Sequence, residues 1–173
     1  MLTTERLLLR RIEAGDWREI QAIWKDIDGS ELAQYDRKKE TDDRSVRERI
    51  EIWASYAKSR EHQFWAACLE ERLIGFATFH QQEDGAFELG YGFHSAWRGK
   101  GYARESIRAI LQELRKQGVR KVIAGTALAN LGSVRLLEAL GFTQYRTETV
   151  SFYEDAAGNP IEFLGGWFER LLP

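Results

Sequence analysis

Three apolar or aromatic runs, Phe64–Leu69, Leu73–Phe79 and Phe87–Phe93, follow one another with short polar breaks. Glu70, Glu71 and Arg72 separate the first two, and Glu83, Asp84 and Gly85 lie before the third. Short runs rich in aromatic and branched residues read as strands. Connections this brief cannot hold a crossover helix, so the three strands must form an antiparallel meander. The remaining chain has to be arranged around that ribbon.

Before it, Leu7, Leu8, Leu9 and Ile12 predict a first strand. Asp16 and Glu19 have capping-box spacing for a helix that buries Ile20, Ile23, Trp24 and Ile27. The charge run Asp36–Arg49 reads as a solvated loop leading into a second helix, which begins near Thr41. Asp42 and Asp43 complement its N-terminal dipole, and Val46, Ile50, Trp53 and Ala57 recur at helical spacing. Trp17, Trp24 and Trp53 are expected to pack these two helices together, with Tyr35 between them in sequence.

After the meander, Ala103, Ile107, Ile110, Leu111 and Leu114 trace an amphipathic helix that stops at Gly118. Val119–Thr126 follows as a strand, and Val134, Leu137 and Leu140 predict a further helix ending at Gly141. Two final strands, Phe142–Tyr153 and Ile161–Leu171, flank the turn Asp155–Pro160 as a closing hairpin. A chain of 173 residues with 43% hydrophobic content suits one sizeable core, so residues 1–173 are read as a single domain.

Charge selects no partner. Lys and Arg number 25 against 27 Asp and Glu, a net charge of -2, which gives no field for nucleic acid or membrane. Cys68 is the only cysteine and lies within an apolar run, which excludes an internal disulfide framework and fits a reducing cytoplasm. No long uncharged apolar stretch occurs, so neither export nor membrane insertion is expected. His62, His80 and His94 lack the close spacing of a zinc helix, and no metal is predicted.

The chemistry is concentrated in Glu88–Ser106, ELGYGFHSAWRGKGYARES, where a strand passes through a glycine-rich turn into a helix. Helix N-termini leave amide N–H groups unpaired, and Gly99 and Gly101 let a phosphate approach that backbone closely. This predicts a pyrophosphate cradle with Lys100 and Arg104 at its rim. The dinucleotide fingerprint fails at Arg104, and the P-loop fails because Gly101 follows Lys100.

Arg98, Gly101 and Ala103 match the GNAT pattern of Arg or Gln, two residues, Gly, one residue, Gly or Ala. The resemblance extends to the opening TERLLLR, the strand ELGYGF, and Asn130, Ser133, Gly141 and Phe142. The chain therefore resembles GNAT N-acetyltransferases, in particular the branch that acetylates ribosomal-protein N-termini. That resemblance implies an α/β (α+β) fold with a twisted mixed, mostly antiparallel sheet flanked by helices. It also implies a splayed strand pair, near Phe93 and Val119, that forms an acetyl-CoA cleft.

By the same resemblance, backbone groups near Phe93 and His94 hold the pantetheine and the acetyl carbonyl. Amides from Arg98 through Gly99, Lys100, Gly101, Tyr102 and Ala103 to Arg104 bind the pyrophosphate. Glu88 matches a position where members carry a catalytic base, and Ser133 matches the proposed acid of the ribosomal branch. Asn130 binds the cofactor or orders the helix start. The tyrosine acid that many members carry later in that helix is replaced by Leu137.

The implied activity is acetyl transfer from acetyl-CoA to a primary amine, either a protein N-terminal α-amine or a small-molecule amine, by direct attack through a tetrahedral intermediate. A CoA-binding sensor or scaffold without turnover is the alternative, and a nucleotide-binding module is a third. Oligomeric state stays open between monomer and homodimer, with the apolar region Phe163–Leu172 available for a dimer.

Overall fold

The computed structural model describes all 173 residues. Eight strands form one sheet: β1 (Leu2–Thr3), β2 (Leu8–Arg11), β3 (His62–Leu69), β4 (Arg72–Gln81), β5 (Phe87–Phe93), β6 (Lys121–Ala127), β7 (Thr143–Glu154) and β8 (Pro160–Leu171). Their order across the sheet is β1-β2-β3-β4-β5-β6-β8-β7. The expected meander is β3-β4-β5, antiparallel throughout. The final hairpin also forms, but β8 pairs with β6 and leaves β7 at the edge.

Four helices cover the sheet: α1 (Trp17–Asp28), α2 (Asp43–Ser55), α3 (Tyr102–Lys116) and α4 (Leu131–Ala139). Alternation along the strands separates two apolar clusters. Trp65, Ala67, Phe79, Phe87 and Leu89 pack with Ile107, Ile110, Leu111 and Leu114 of α3. Phe64, Ala66, Cys68 and Phe76 pack with Ile20, Ile23 and Trp24 of α1 and with Val46 and Ile50 of α2. Because both faces are covered, β3 and β4 read as continuous apolar runs rather than alternating ones. Trp53 of α2 stacks on Phe64 and meets Trp24 edge-on, as the tryptophan spacing implied.

One expectation fails at the entry to α1. The capping box joins Glu13 and Asp16, not Asp16 and Glu19. Asp16 is buried, accepts from the Glu13 N–H at 2.8 Å, and receives both Arg10 guanidinium nitrogens at 2.7 Å. A carboxylate already gripped by Arg10 of β2 cannot also cap α1, so the ion pair outcompetes the cap. Asp16→Ala would strand the half-buried Arg10 guanidinium, and a loss of about 3 kcal/mol is expected from breaking such a pair. Urea unfolding midpoints measure it; a change within about 0.5 kcal/mol, the range of ordinary surface substitutions, would make the pair incidental.

The second helix starts at Asp43, with the Asp42 carboxylate accepting from the Ser45 N–H at 3.0 Å, and it ends before Ala57. Gly118 and Gly141 follow α3 and α4 in the left-handed region at φ 92° and 79°. No helix is long and apolar enough to cross a membrane. Within Phe163–Leu172, Phe168 and Leu172 are buried in the core, while Leu164 and Leu171 are exposed.

Candidate active site

The site begins where two parallel strands part. β5 and β6 pair only at Phe87 with Val122 and at Glu88 with Ile123. Beyond that point β5 stays paired to β4, and β6 stays paired to β8, so a wedge opens between them. The backbone polarity of the wedge follows from register. The His94 N–H donates to the Ile74 carbonyl at 3.2 Å, which makes residues 94, 92, 90 and 88 the ones that bond to β4. Leu89, Tyr91 and Phe93 therefore turn their N–H and C=O groups toward the gap. On the far wall the Leu172 N–H donates to the Arg120 carbonyl, which directs the backbone of Gly125 and Ala127 into the same gap.

Beyond Phe93 the chain makes a short 3-10 turn at Ser95–Trp97 and then reaches Gly99 and Gly101, at φ 73° and 82°. A side chain is strained in that left-handed region, so these two glycines let the chain turn directly into α3. No side chain caps α3, and its first amides, from Tyr102 to Arg104, carry no intrahelical partner. The turn is braced from behind. The Arg6 guanidinium donates to the Lys100 carbonyl at 3.0 Å and pairs with Glu105 at 2.7 Å, while the Thr4 hydroxyl donates to the same carboxylate at 2.6 Å. Burial favours the neutral Glu105 carboxyl, but donors from Thr4 and Arg6 outweigh it and hold the group below its ordinary value. An acid in the first turn would oppose an anion there, and Arg6 neutralises it.

The predicted cofactor residues divide by side chain. Arg104 is exposed and forms no ion pair. Lys100 lies against Trp97, its ammonium 5.0 Å from the ring centre and donating to the Ala96 carbonyl. Arg98 points away from the turn: its Nε donates to the Phe93 carbonyl at 2.8 Å and its terminal nitrogen reaches Asp26 at 3.3 Å. The side chain of Arg98 thus clamps the end of β5 to α1. The backbone N–H of His94 is used by the sheet, and its Nδ1 accepts from the Ala96 N–H at 3.2 Å. Of the two carbonyl-binding positions, only Phe93 turns its N–H to the gap. Tyr102 lies under the Arg6 guanidinium at 4.4 Å, and Ala103 sits partly buried against the core.

Glu88 and Ser133 flank the wedge from opposite faces of the sheet. Glu88 shares the α1 face with Ile123 and lies beside His80 of β4. It is half-buried, accepts from the Gln82 amide at 3.2 Å, and burial pushes its carboxyl above the ordinary value. The imidazoles of His80 and His62 approach to 3.2 Å, and burial, assisted by His62, holds His80 low. Ser133 stands in the first turn of α4, where its N–H donates to the side-chain Oδ1 of Asn130 at 3.2 Å. Its hydroxyl bonds Tyr91 Oη at 2.5 Å, across the gap.

Sequence reasoning missed three residues at this site. Tyr91 shares a face with Leu89 and Phe93, so alternation could have placed it, but its partner on α4 is a tertiary fact. Trp167 lies over Gly125, and its indole N–H donates to Glu148 at 2.6 Å. Glu148 also pairs with Arg146 at 2.7 Å. Further along the same wall, Tyr35 meets Phe163 edge-on at 5.4 Å.

A family model described as an acetyltransferase (GNAT) domain matches residues 6–143. The uncharacterized N-acetyltransferase YnaD of Bacillus subtilis is 26% identical over 144 residues, covering 81% of each chain. YycN of the same organism, also an uncharacterized N-acetyltransferase, is 32% identical over 90 residues, 48% of this chain and 56% of that protein. That second match spans little more than half of the relative. Among solved structures, the ribosomal-protein-S5-alanine acetyltransferase of Vibrio fischeri superimposes with a TM-score of 0.82 at 17% identity, covering 99% of this chain and 96% of that one. Spermidine N-acetyltransferase of Vibrio cholerae, solved with CoA and spermine, gives 0.77 at 20% identity, covering 96% of each. At these identities the structural likeness establishes the shared fold.

Proposed function

The chain belongs to the acetyltransferase (GNAT) family, and we propose that residues 1–173, read as one domain, carry acetyl from acetyl-CoA to a primary amine, with a protein N-terminal α-amine as the acceptor. One observation carries the reading: the wedge where β5 and β6 part opens toward the uncapped start of α3, with only the short turn Ser95–Trp97 and the two glycines between them. An extended pantetheine arm matches the strand-like backbone, and a pyrophosphate matches the amides after Gly101.

In this reading the two faces of the sheet divide the work. An amine entering from the α1 face meets Glu88, which accepts its proton directly or through water. An α-amine near pKa 8 is already about one-tenth neutral at pH 7, so a modest base suffices. Attack on the thioester carbon forms a tetrahedral intermediate whose oxyanion is within the reach of the Phe93 N–H. The C–S bond then breaks on the opposite face, where Ser133 faces the sulfur.

The acceptor wall favours a monoamine. A polyamine requires several free carboxylates, and Glu148, which lies beside the gap with Glu88, is already engaged by Arg146 and Trp167. Aromatic side chains, Tyr35 and Phe163, line the approach instead and suit the first residues of a peptide. The test is thiol release from acetyl-CoA with free N-terminal peptides, polyamines, amino acids and aminoglycosides, with acetyl-CoA binding recorded alongside. Release with peptides is expected. Release only with polyamines would replace the acceptor assignment, and binding without release on every acceptor would favour the sensor reading.

A further inference from the structure

Resting on the acetyl-transfer reading, we propose that Tyr91 is a positioning residue for the leaving thiolate: it donates its hydroxyl proton to Ser133, which frees the single Ser133 proton to point at the sulfur.

The geometry begins with an unusual helical serine. Serine in a helix commonly returns its hydroxyl to a carbonyl of the preceding turn, as Ser106 does to Ala103 at 3.0 Å. Ser133 makes no such bond; Tyr91 Oη, at 2.5 Å, is its hydroxyl's one protein partner. Each of the two hydroxyls owns one proton, so whichever donates within the pair leaves the other proton free. The phenol is the stronger acid, and in a bond this short the stronger acid donates. Burial pushes the Tyr91 hydroxyl up to about 12, with its bond to Ser133 pulling in the other direction, so it stays protonated at every working pH.

The pair also spans the wedge. Tyr91 belongs to β5, and Ser133 belongs to the helix that follows β6. The Asn130 cap fixes the Ser133 backbone, and Tyr91 fixes its hydroxyl rotor. When the intermediate collapses, the C–S bond breaks and its electron pair goes to sulfur. The Ser133 O–H hydrogen-bonds that anion, and the proton that completes the thiol is the one the amine released, delivered through solvent. Neither Tyr91 nor Ser133 ionises. A tyrosine from the strand therefore supports the leaving group in a chain whose α4 carries Leu137 rather than a hydroxyl.

The proposal is tested by titrating the thiolate ultraviolet absorbance of CoA bound to the protein, which needs no acceptor and no turnover. Donation to the thiolate lowers the thiol pKa. Tyr91→Phe and Ser133→Ala are each expected to raise it by about half a unit, a threefold change in the ionisation constant, with the double variant moving no further. An unchanged thiol in Tyr91→Phe, or shifts that add fully in the double variant, would overturn the relay. If Tyr91→Phe does not fold, a ring-fluorinated tyrosine at position 91 decides instead: its more acidic phenol donates more strongly to Ser133 and should lower the thiol pKa, and an unmoved thiol would overturn the relay. Failure of the parent protein to bind CoA overturns both readings. A thiol shift without acetyl transfer to any amine supports the pair and overturns the transfer.

Discussion

Gly101→Glu is expected to weaken acetyl-CoA binding by at least about 100-fold in calorimetry while the protein stays folded. Gly101 sits at φ 82° immediately before α3, and a Cβ there would come within 3.3 Å of the Arg6 guanidinium. The left-handed backbone strains any larger residue by about 1–2 kcal/mol. The charge matters more. A carboxylate beside the first amides of α3 satisfies them as a cap and draws Arg6 toward itself, so the place proposed for a pyrophosphate is filled by a competing anion. Gly101→Ala separates the two causes because it imposes the strain without the charge. It should lower the melting temperature by a few degrees and weaken binding much less. Equal losses in both variants would assign the effect to backbone strain, and unchanged affinity in the glutamate variant would remove the cradle.

The meander and the glycine turn were legible because their signals are local. The breaks at Glu70–Arg72 and Glu83–Gly85 leave no room for any other pairing, and Gly99 and Gly101 need no distant partner to define their conformation. The insertion of β8 between β6 and β7 was not legible. β7, TQYRTETVSFYE, is more polar than β8, PIEFLGGWFERL, but polarity alone does not give strand order, and burial of Phe168 against the α3 cluster identifies the inner strand. Asp16 misled for a related reason. Its spacing to Glu19 is a sound local cap, but Arg10, six residues earlier and folded alongside, binds the same oxygens more strongly. The side chain of Arg98 belongs to this class too: the glycine-turn pattern contains it, yet Asp26 of α1 and the Phe93 carbonyl claim it. Local chemistry thus reached the backbone of the site, and tertiary pairing reassigned the side chains that compete for long-range charge.

Glu88→Gln should lower turnover by about 100-fold, the lower end of what general-base catalysis supplies, with acetyl-CoA affinity unchanged. The pH profile gives the sharper readout. Burial raises the Glu88 carboxyl, so the proton-accepting form is lost as pH falls through that raised value, and the parent rate should drop on the acid side above the ordinary glutamate range. The glutamine variant should lack that limb. Stability should move the other way. A carboxyl whose folded pKa lies above its unfolded value binds more protons when folded, so stability decreases as pH rises through the interval between the two values. At neutral pH the ionised, half-buried Glu88 is therefore a burden on the fold, and a neutral amide in its place would relieve it while retaining a polar contact for Gln82. A variant that is slower yet melts at the same or a higher temperature at about pH 7.5 is the expected outcome. If its rate profile matched the parent's, another group would be taking the amine proton; if it were slower and also less stable, Glu88 would be holding β5 in place rather than serving the reaction.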